Sequence, residues 1–232
     1  MIIAHRGASS IAPPNTLKSF QKAIDLKADY IEFDIHKSLD GEIVIKHDAY
    51  INDLTGQKQL IKDMVIKDLK ALDVGEGEKI PTLKELIKLT KCKIGLQCEI
   101  KAPGLSKDLV EMLSQENLIE TSIISSFMFH ELLELQKINS ELKLALLIPP
   151  EIPSARRLMK ICQKAIDNNF YAVHPHFKSI NIDVVRTIHN EGLLVNVWTV
   201  NKESDIREVL KMGINGIISD DINLVKNVLN DV

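Results

Sequence analysis

Short apolar runs alternate with longer amphipathic stretches along most of this chain. The runs are typical of buried strands, and the stretches, in which apolar residues recur every three or four positions, are typical of helices. Strands that alternate with helices at this spacing predict parallel βα units. The predicted strands are 95–101, 122–126, 142–148, 171–174, 193–200 and 216–219, and the predicted helices are 105–117, 129–139, 154–168, 182–190, 202–212 and 222–229.

The N-terminal part of the chain adds two further strands to this series. Ile2-Ile3-Ala4 forms a short apolar run before Gly7, and 30–35 forms the next one. Asp40-Gly41 is a hairpin turn signal, so 42–47 is predicted to return as an antiparallel strand. Without that returning strand the tally is eight, which predicts a closed α/β barrel of the TIM (β/α)8 type.

Such a barrel takes about 200–250 residues, so the 232 residues of this chain predict a single domain over 1–232. Regular patterning weakens after the hairpin and restarts at a capping box, Thr82 to Glu85. We therefore expect a small insertion over about 51–80, placed after the second strand and its hairpin, that caps the barrel mouth.

Charge and cysteine content narrow the class of protein. A net charge of −3, with lysines mixed among acidic residues, gives no sign of a nucleic-acid partner. The three cysteines lack metal-ligand spacing and are expected to be reduced thiols: Cys92, Cys98 and Cys162.

The apolar run at 144–148 is far shorter than a membrane span of about 20 residues. With the first strand beginning at once, no secretory leader is expected, and we predict a cytoplasmic protein; a homodimer stays open.

The second strand alternates strictly between two kinds of side chain. Ile31, Phe33 and Ile35 fall on one face, and Glu32 and Asp34 fall on the other. In a barrel the apolar set would meet the helices and the carboxylates would point inward. Two such carboxylates repel each other and are costly to desolvate unless a cation compensates them. The alternative is a half-exposed antiparallel strand with a polar outer face.

Several polar residues lie where the predicted strands end, the location of the active site in barrels of this type. Glu32, Asp34 and Glu99 would form an all-oxygen ligand set suited to Mg²⁺ or Ca²⁺. Arg6 and Lys101 are fixed cations in the same ring, and phosphate is their natural ligand.

Two histidines complete the predicted site. His5 and His47 come from different segments, as a general acid and a general base on opposite sides of one substrate should. Together with the carboxylates and cations they predict metal-assisted phosphoester chemistry.

The order and spacing of these motifs resemble the glycerophosphodiester phosphodiesterase family. The resemblance is carried by His5-Arg6, Glu32-x-Asp34, His47-Asp48, Pro-x-Asn-Thr at 13–16, Leu-Asp-Gly at 39–41, Glu-Ile-Lys at 99–101, Val-Asn-Val-Trp-Thr-Val-Asn at 195–201 and Gly-Ile-Ile-Ser-Asp at 216–220.

The resemblance implies a TIM barrel that hydrolyses small glycerophosphodiesters to glycerol 3-phosphate and an alcohol. Carried over by position, Glu32, Asp34 and Glu99 would bind the metal, and His5 and His47 would transfer protons. Arg6 and Lys101 would hold the phosphate, and Trp198 would form a wall of the pocket. The sequence does not assign which histidine begins as the acid, although His5 is the preferred candidate for the leaving-group side.

Two departures from the family pattern are visible. Pro14 stands where the family usually has Glu, and 52–55 replaces an Arg-Thr-Thr pattern that is often found in the insertion. The missing carboxylate is not among the predicted metal ligands. We therefore expect a changed loop and an intact site.

Two alternatives stay open at this point. One is a phosphodiesterase of the same fold that acts on lysophospholipids or another phosphodiester, although an insertion rich in Lys and Asp does not favour an apolar mouth. The other is a non-catalytic barrel that binds a phospho-ligand, which the loss of a catalytic histidine or metal ligand would mark; none is lost here. Of the remaining histidines, His36 is expected in solvent, His130 and His189 on helix surfaces, and His174 in a structural position.

Overall fold

The fold is a closed barrel of eight parallel strands surrounded by helices, as seen in a computed structural model that describes residues 1–91, 93–150, 152 and 154–231. The strands are β1 (Ile2–Ala4), β2 (Tyr30–Lys37), β3 (Ile43–Ile45), β4 (Tyr50–Asn52), β5 (Lys58–Leu60), β6 (Gly95–Ile100), β7 (Ser122–Ser126), β8 (Lys143–Ile148), β9 (Ala172–Pro175), β10 (Leu194–Val197) and β11 (Gly216–Ser219).

Helices connect successive barrel strands. They are α1 (Leu17–Asp25), α2 (Ile66–Ala71), α3 (Leu83–Thr90), α4 (Ser106–Gln115), α5 (Phe129–Ile138), α6 (Ala155–Asp167), α7 (Ile182–Asn190), α8 (Glu203–Lys211) and α9 (Ile222–Asn230), with short 3₁₀ turns at Ile61–Asp63 and Phe177–Ser179.

The strand order confirms the predicted TIM barrel. Around the barrel it is β1-β11-β10-β9-β8-β7-β6-β2, and β2 pairs with β1 to close the sheet. β3 pairs antiparallel with β2 outside this circle, with Ile45 opposite Ile35, as the hairpin signal predicted.

The two faces of β2 lie as the alternation predicted. Ile31, Phe33 and Ile35 belong to the main apolar core between the sheet and the helices. Phe20 of α1 packs on Phe33 edge to face, with ring centroids 6.2 Å apart. The opposite face of β2 therefore points into the barrel, and the half-exposed alternative is wrong.

Local sequence explains where the helices begin. Thr16 caps α1, and Thr82 caps α3 through the predicted capping box, in which Glu85 Oε2 accepts from the Thr82 amide at 2.8 Å. α1 ends at Asp25, because Lys27 adopts a left-handed φ of 52° that a helix cannot continue through.

The inserted segment after β3 has a small apolar core of its own. The insertion contains α2 and the β4–β5 hairpin, and the sequence did not predict this hairpin. That core packs on the outer side of β3 through Val44 and consists of Val44, Ile61, Met64, Leu69, Leu72 and Ile80. Organisation of the whole chain as one domain stays a prediction.

Two of the cysteines are buried free thiols, Cys98 and Cys162. The prediction for Cys92 falls outside the described residues. Among the helices described here, none is both long and apolar enough to cross a membrane.

Candidate active site

The turn after β1 aims a backbone amide into the barrel. Arg6 and Gly7 both adopt left-handed conformations, with φ of 54° and 82°. A Cβ on Gly7 would lie 2.7 Å from the backbone carbon of Ser19, so only glycine fits there. As a result the Arg6 N–H donates to Glu32 Oε2 at 2.9 Å. A non-glycine residue in this conformation is strained, and such strain is common at functional sites.

The three predicted carboxylates meet at the C-terminal ends of two adjacent strands. Asp34 on β2 lies opposite Glu99 on β6 in the parallel register, and Glu32 lies one inward position earlier on β2. Oxygen atoms of the three side chains lie within 4.8 Å of one another, and all three side chains are buried. The structure therefore brings the predicted carboxylates together.

Both predicted cations contact this cluster. Arg6 Nε lies 3.3 Å from Asp34 Oδ2, and Lys101 Nζ lies 3.4 Å from Asp34 Oδ1 and 2.7 Å from Glu99 Oε1. The Asn15 amide also donates to Asp34 Oδ2 at 2.8 Å. Burial would raise the pKa of Asp34, but the two cations and this hydrogen bond outweigh burial and hold that pKa below its ordinary value.

The other two carboxylates are less well compensated. Burial and the charges of Asp34 and Glu99 raise the pKa of Glu32 well above its ordinary value. Burial and the charge of Asp34 raise the pKa of Glu99 to about 7. Glu32 accepts the Arg6 amide and forms no ion pair within the described part of the chain. Three carboxylates thus face two cations.

This cluster fits a hard divalent cation. Its donors are all carboxylate oxygens, the ligand type of Mg²⁺ and Ca²⁺, and the donor set lacks the sulfur and nitrogen that zinc sites favour. A divalent charge would also relieve the repulsion that raises the pKa values of Glu32 and Glu99. The buried carboxylates could therefore hold a metal ion.

His5 is held by a residue that follows the last barrel strand. Its Nδ1 lies 2.6 Å from Asp220 Oδ1, which also accepts from Ser9 Oγ at 2.7 Å, and Asn201 Nδ2 donates to the other Asp220 oxygen. Burial would raise the pKa of Asp220, but its hydrogen bonds and the charge of His5 lower it to about 2. Because an ionised carboxylate only accepts, Nδ1 of His5 carries a proton and Nε2 is left for the cavity.

His47 is held in a similar way by its own neighbour. Its Nδ1 donates to Asp48 Oδ1 at 2.7 Å, and its carbonyl accepts from His36 Nε2 at 3.1 Å. Burial lowers the pKa of His47 and also that of His36.

The prediction that His36 lies in solvent is wrong, since only 4% of the residue is exposed. β2 runs on to Lys37, so His36 continues the inward face of Glu32 and Asp34 and is paired with β3.

A cavity of about 250 Å³ lies between the two histidines. One of its walls is apolar and contains Phe127, Leu147 and Trp198. Trp198 packs edge to face on Phe127, with centroids 5.6 Å apart, and its Nε1 donates to the His174 carbonyl at 2.7 Å. The predicted residues that line this cavity are His5, Arg6, Glu32, His47, Glu99, Lys101 and Trp198. Asp34 is buried behind them.

His174 lies beneath this cavity as the predicted structural residue. It is fully buried, its Nε2 faces the Asn196 amide at 3.0 Å, and burial lowers its pKa to about 3. His130 is exposed on α5, as predicted, whereas His189 is half-buried on α7 and contacts Asn215 Oδ1 at 2.8 Å.

Sequence reasoning missed three supporting residues. Asp220 ends the Gly-Ile-Ile-Ser-Asp motif directly after a barrel strand, a position that could have marked it as an active-site residue. Asn15 and Thr16 both have side-chain oxygens that could cap α1; Thr16 does so, and Asn15 turns to Asp34 with a φ of 59°. His36 was the third, hidden by the length of β2.

A TIM barrel with two histidines, an arginine and a lysine around a carboxylate cluster has the groups that hydrolysis of a phosphate ester requires. The family model described as "Glycerophosphoryl diester phosphodiesterase family" matches residues 5–224. The chain belongs to this family and is an enzyme of the phosphodiesterase class.

Individual relatives agree with this assignment. The chain is 33% identical over 243 residues to a glycerophosphodiester phosphodiesterase of Caldanaerobacter subterraneus subsp. tengcongensis, covering 97% of this chain and 98% of the relative. A phosphodiesterase of Oleispira antarctica, solved in complex with the product sn-glycerol-3-phosphate, has a TM-score of 0.87 and 29% identity, covering 99% of this chain and 96% of that one. A glycerophosphodiester phosphodiesterase of Thermotoga maritima has a TM-score of 0.83 and 28% identity, with 98% and 97% coverage.

Proposed function

We propose that this chain hydrolyses glycerophosphodiesters to glycerol 3-phosphate and an alcohol. The observation that carries the proposal is a buried carboxylate cluster set between two histidines, each oriented at Nδ1 by an aspartate. The family match and the product complex of the Oleispira antarctica phosphodiesterase support this choice of substrate.

In this proposal Glu32, Asp34 and Glu99 hold one Mg²⁺ or Ca²⁺. When bound, a divalent cation polarises phosphoryl oxygens and neutralises the charge that develops on them. The carboxylates also favour a hard cation, because an all-oxygen set offers no ligand preferred by softer metals.

Arg6 and Lys101 bind the phosphate group. The Arg6 guanidinium presents parallel N–H donors that match two phosphate oxygens, while Lys101 acts as a point charge. Trp198 and Phe127 form the apolar wall against which the glycerol carbons pack. This wall leaves the hydroxyl next to the phosphate facing the polar side of the cavity.

The two histidines move the protons. One histidine, through Nε2, takes the proton from the glycerol hydroxyl beside the phosphate as that oxygen attacks phosphorus. The other donates a proton to the departing alcohol oxygen, and a cyclic glycerol phosphate is left. In the second step the roles exchange: a water proton goes to the histidine that acted as acid, and the ring oxygen recovers a proton from the other. Asp220 and Asp48 keep both imidazoles oriented throughout.

The test follows release of glycerol 3-phosphate from glycerophosphoglycerol, with and without a chelator. We expect chelation to abolish turnover and Mg²⁺ or Ca²⁺ to restore it. Glu32→Gln and Glu99→Gln should weaken metal binding, measured by calorimetry, while the fold is kept. A substrate that lacks the glycerol hydroxyl beside the phosphate should not turn over.

Several results would contradict the proposal. Full activity in excess chelator would show that the reaction does not need a metal. Normal cleavage of the deoxy substrate would show that water attacks phosphorus directly and that no cyclic intermediate forms. A lysophospholipid belongs in the same panel, since the sequence left that substrate open, and its cleavage is followed by release of the headgroup alcohol. Faster release of this alcohol than of glycerol from glycerophosphoglycerol would move the activity to that class.

A further inference from the structure

The β4–β5 hairpin of the insertion has two different faces. Tyr50 pairs with Leu60 and Asn52 with Lys58, so Tyr50 and Lys58 lie on one face and Ile51 and Gln59 on the other. Ile51 packs on the small core of the insertion. The face with Tyr50 and Lys58 is therefore turned away from that core.

This outer face lines a second cavity beside the active site. The cavity is open to solvent, has a volume of about 480 Å³, and is lined by Tyr50, Lys58 and Asp48. It shares His47 and Lys101 with the first cavity. A phosphodiester bound where the two cavities meet has two substituents on phosphorus, one for each cavity. With glycerol against the apolar wall of the first cavity, the alcohol portion enters the second.

The charges of the second cavity leave one uncommitted cation. Lys101 is paired with Asp34 and Glu99, and Asp48 is paired with His47. Lys58 forms no ion pair with any described residue; its Nζ lies 4.4 Å from the centroid of the Tyr50 ring. The ammonium of Lys58 therefore occupies one face of the Tyr50 ring, the kind of surface to which a quaternary ammonium ligand binds.

We propose that Lys58, held on Tyr50, determines specificity for the alcohol portion of the substrate. It favours glycerophosphodiesters whose alcohol carries a negative charge and disfavours those whose alcohol carries an ammonium group. This inference rests on the proposed function, and it makes His47 the histidine on the leaving-group side, because His47 lines both cavities and His5 only the first of these two.

A matched series of three substrates tests the proposal. Bis(glycerophospho)glycerol has an anionic alcohol portion, glycerophosphoglycerol a neutral one, and glycerophosphocholine a cationic one. For the wild-type enzyme we expect kcat/KM to fall in that order. The preference for the anionic substrate should also shrink as salt is raised from about 0.05 to 0.5 M, because salt screens exposed charges.

Variants of Lys58 then assign the effect. Lys58→Gln should lower kcat/KM for the anionic substrate about threefold, mainly through KM, as expected for one exposed charge contact. Lys58→Glu should lower it about tenfold, since repulsion is added to the lost attraction, and should raise kcat/KM for glycerophosphocholine. Both variants should stay within about twofold of wild type on glycerophosphoglycerol. Lys62→Glu, the same charge change within the insertion, lines neither cavity and should leave the order unchanged.

The outcomes separate the two proposals. If the wild type cleaves none of the three substrates, the proposed function fails and this inference fails with it. If the wild type cleaves glycerophosphoglycerol but Lys58→Glu behaves as Lys62→Glu does on all three, only the inference is overturned. An equal loss on all three substrates, restored by Lys58→Arg, would make Lys58 a support of the hairpin and would also overturn it.

Discussion

The two histidines of the active site are supported in different ways. His5 follows β1, and its partner Asp220 follows β11, the neighbouring strand in the closed barrel and 215 residues away in sequence. His47 follows β3, outside the barrel, and its partner is the next residue, Asp48. The side chains of His5 and Asp220 are 18% and 33% exposed, whereas those of His47 and Asp48 are 37% and 67% exposed.

This difference separates two tasks within one site. The His5 side is fixed by barrel closure, with Ser9 and Asn201 also bound to Asp220, so its geometry depends on the whole fold. The His47 side depends on a hairpin and an insertion whose contacts are local. We therefore expect changes on the His5 side to reduce the rate on every substrate. Changes in the hairpin and insertion on the His47 side, at residues other than His47 and Asp48, should alter the range of substrates more than the rate.

The largest effect is expected from removing either histidine. His5→Ala and His47→Ala should each lower kcat about 10²–10⁴-fold, the usual contribution of a general acid or base. The double variant should lose far less than the product of the two losses if the histidines act as a unit. Steady-state kinetics with glycerophosphoglycerol measures both.

An activated substrate then tells the two sides apart. A diester with a low-pKa leaving group needs no acid, so it should restore turnover in His47→Ala and leave His5→Ala inactive. Rescue of His5→Ala alone would exchange the two assignments. Rescue of neither would show that proton donation to the leaving group does not limit the rate.

A smaller effect is expected from the two orienting aspartates. Asp220→Asn should lower kcat about 10²-fold with little change in KM, since the amide favours the wrong His5 tautomer and Asp220 does not line the cavity between the histidines. Asp48→Asn should cost about tenfold or less, because Asp48 is the more exposed partner and orients a more exposed imidazole. Equal losses, measured by the same kinetics, would remove the distinction between the two sides.

Arg6 tests the rigid side with a smaller change. Arg6→Lys should lower kcat/KM about tenfold, equivalent to about 1.4 kcal/mol, because lysine cannot contact two phosphate oxygens in parallel. The backbone amide that donates to Glu32 is kept in this variant. Kinetics indistinguishable from wild type would make Arg6 a structural residue that serves through its backbone.

The same division explains what the sequence could predict. Strand and helix periodicity is local, so it predicted the barrel. Alternation within β2 predicted that Glu32 and Asp34 point inward, and the end of the next predicted strand placed Glu99 beside them. The His5–Asp220 contact joins residues at opposite ends of the chain and exists only because the barrel closes.

Short elements were the other difficulty. β4 and β5 have three residues each, too few for a periodic pattern, so the hairpin that carries Lys58 was not predicted. His36 was misplaced because the end of β2 was set two residues early. Both misses fall on the His47 side, where the structure depends on turn geometry and on tertiary packing.

The smallest expected effect concerns His36, which supports the His47 carbonyl. Burial lowers the pKa of His36 from 6.5, so the unfolded chain takes up this proton at a higher pH than the folded protein does. The contribution of uncharged His36 to stability is therefore present above about pH 6.5 and is lost as the pH falls below it. His36→Gln keeps a donor for the carbonyl and does not titrate. The free energy of unfolding is measured by urea denaturation in the presence of a chelator. Between about pH 7.5 and 5 it should fall less for His36→Gln than for wild type.

The comparison with wild type removes the contributions that both proteins share. His174 titrates in both proteins, since burial lowers its pKa to about 3, and its contribution cancels in the difference. His130→Gln, on the exposed face of α5, serves as the control and should follow the wild-type curve. Hydrogen exchange adds the location: on acidification the amides of β4 and β5 should lose protection in wild type before those of β1 and β11 do. If the barrel strands open first, or if His36→Gln follows the wild-type curve, His36 does not hold the His47 side in place, and the two sides of the site are equally tied to the barrel.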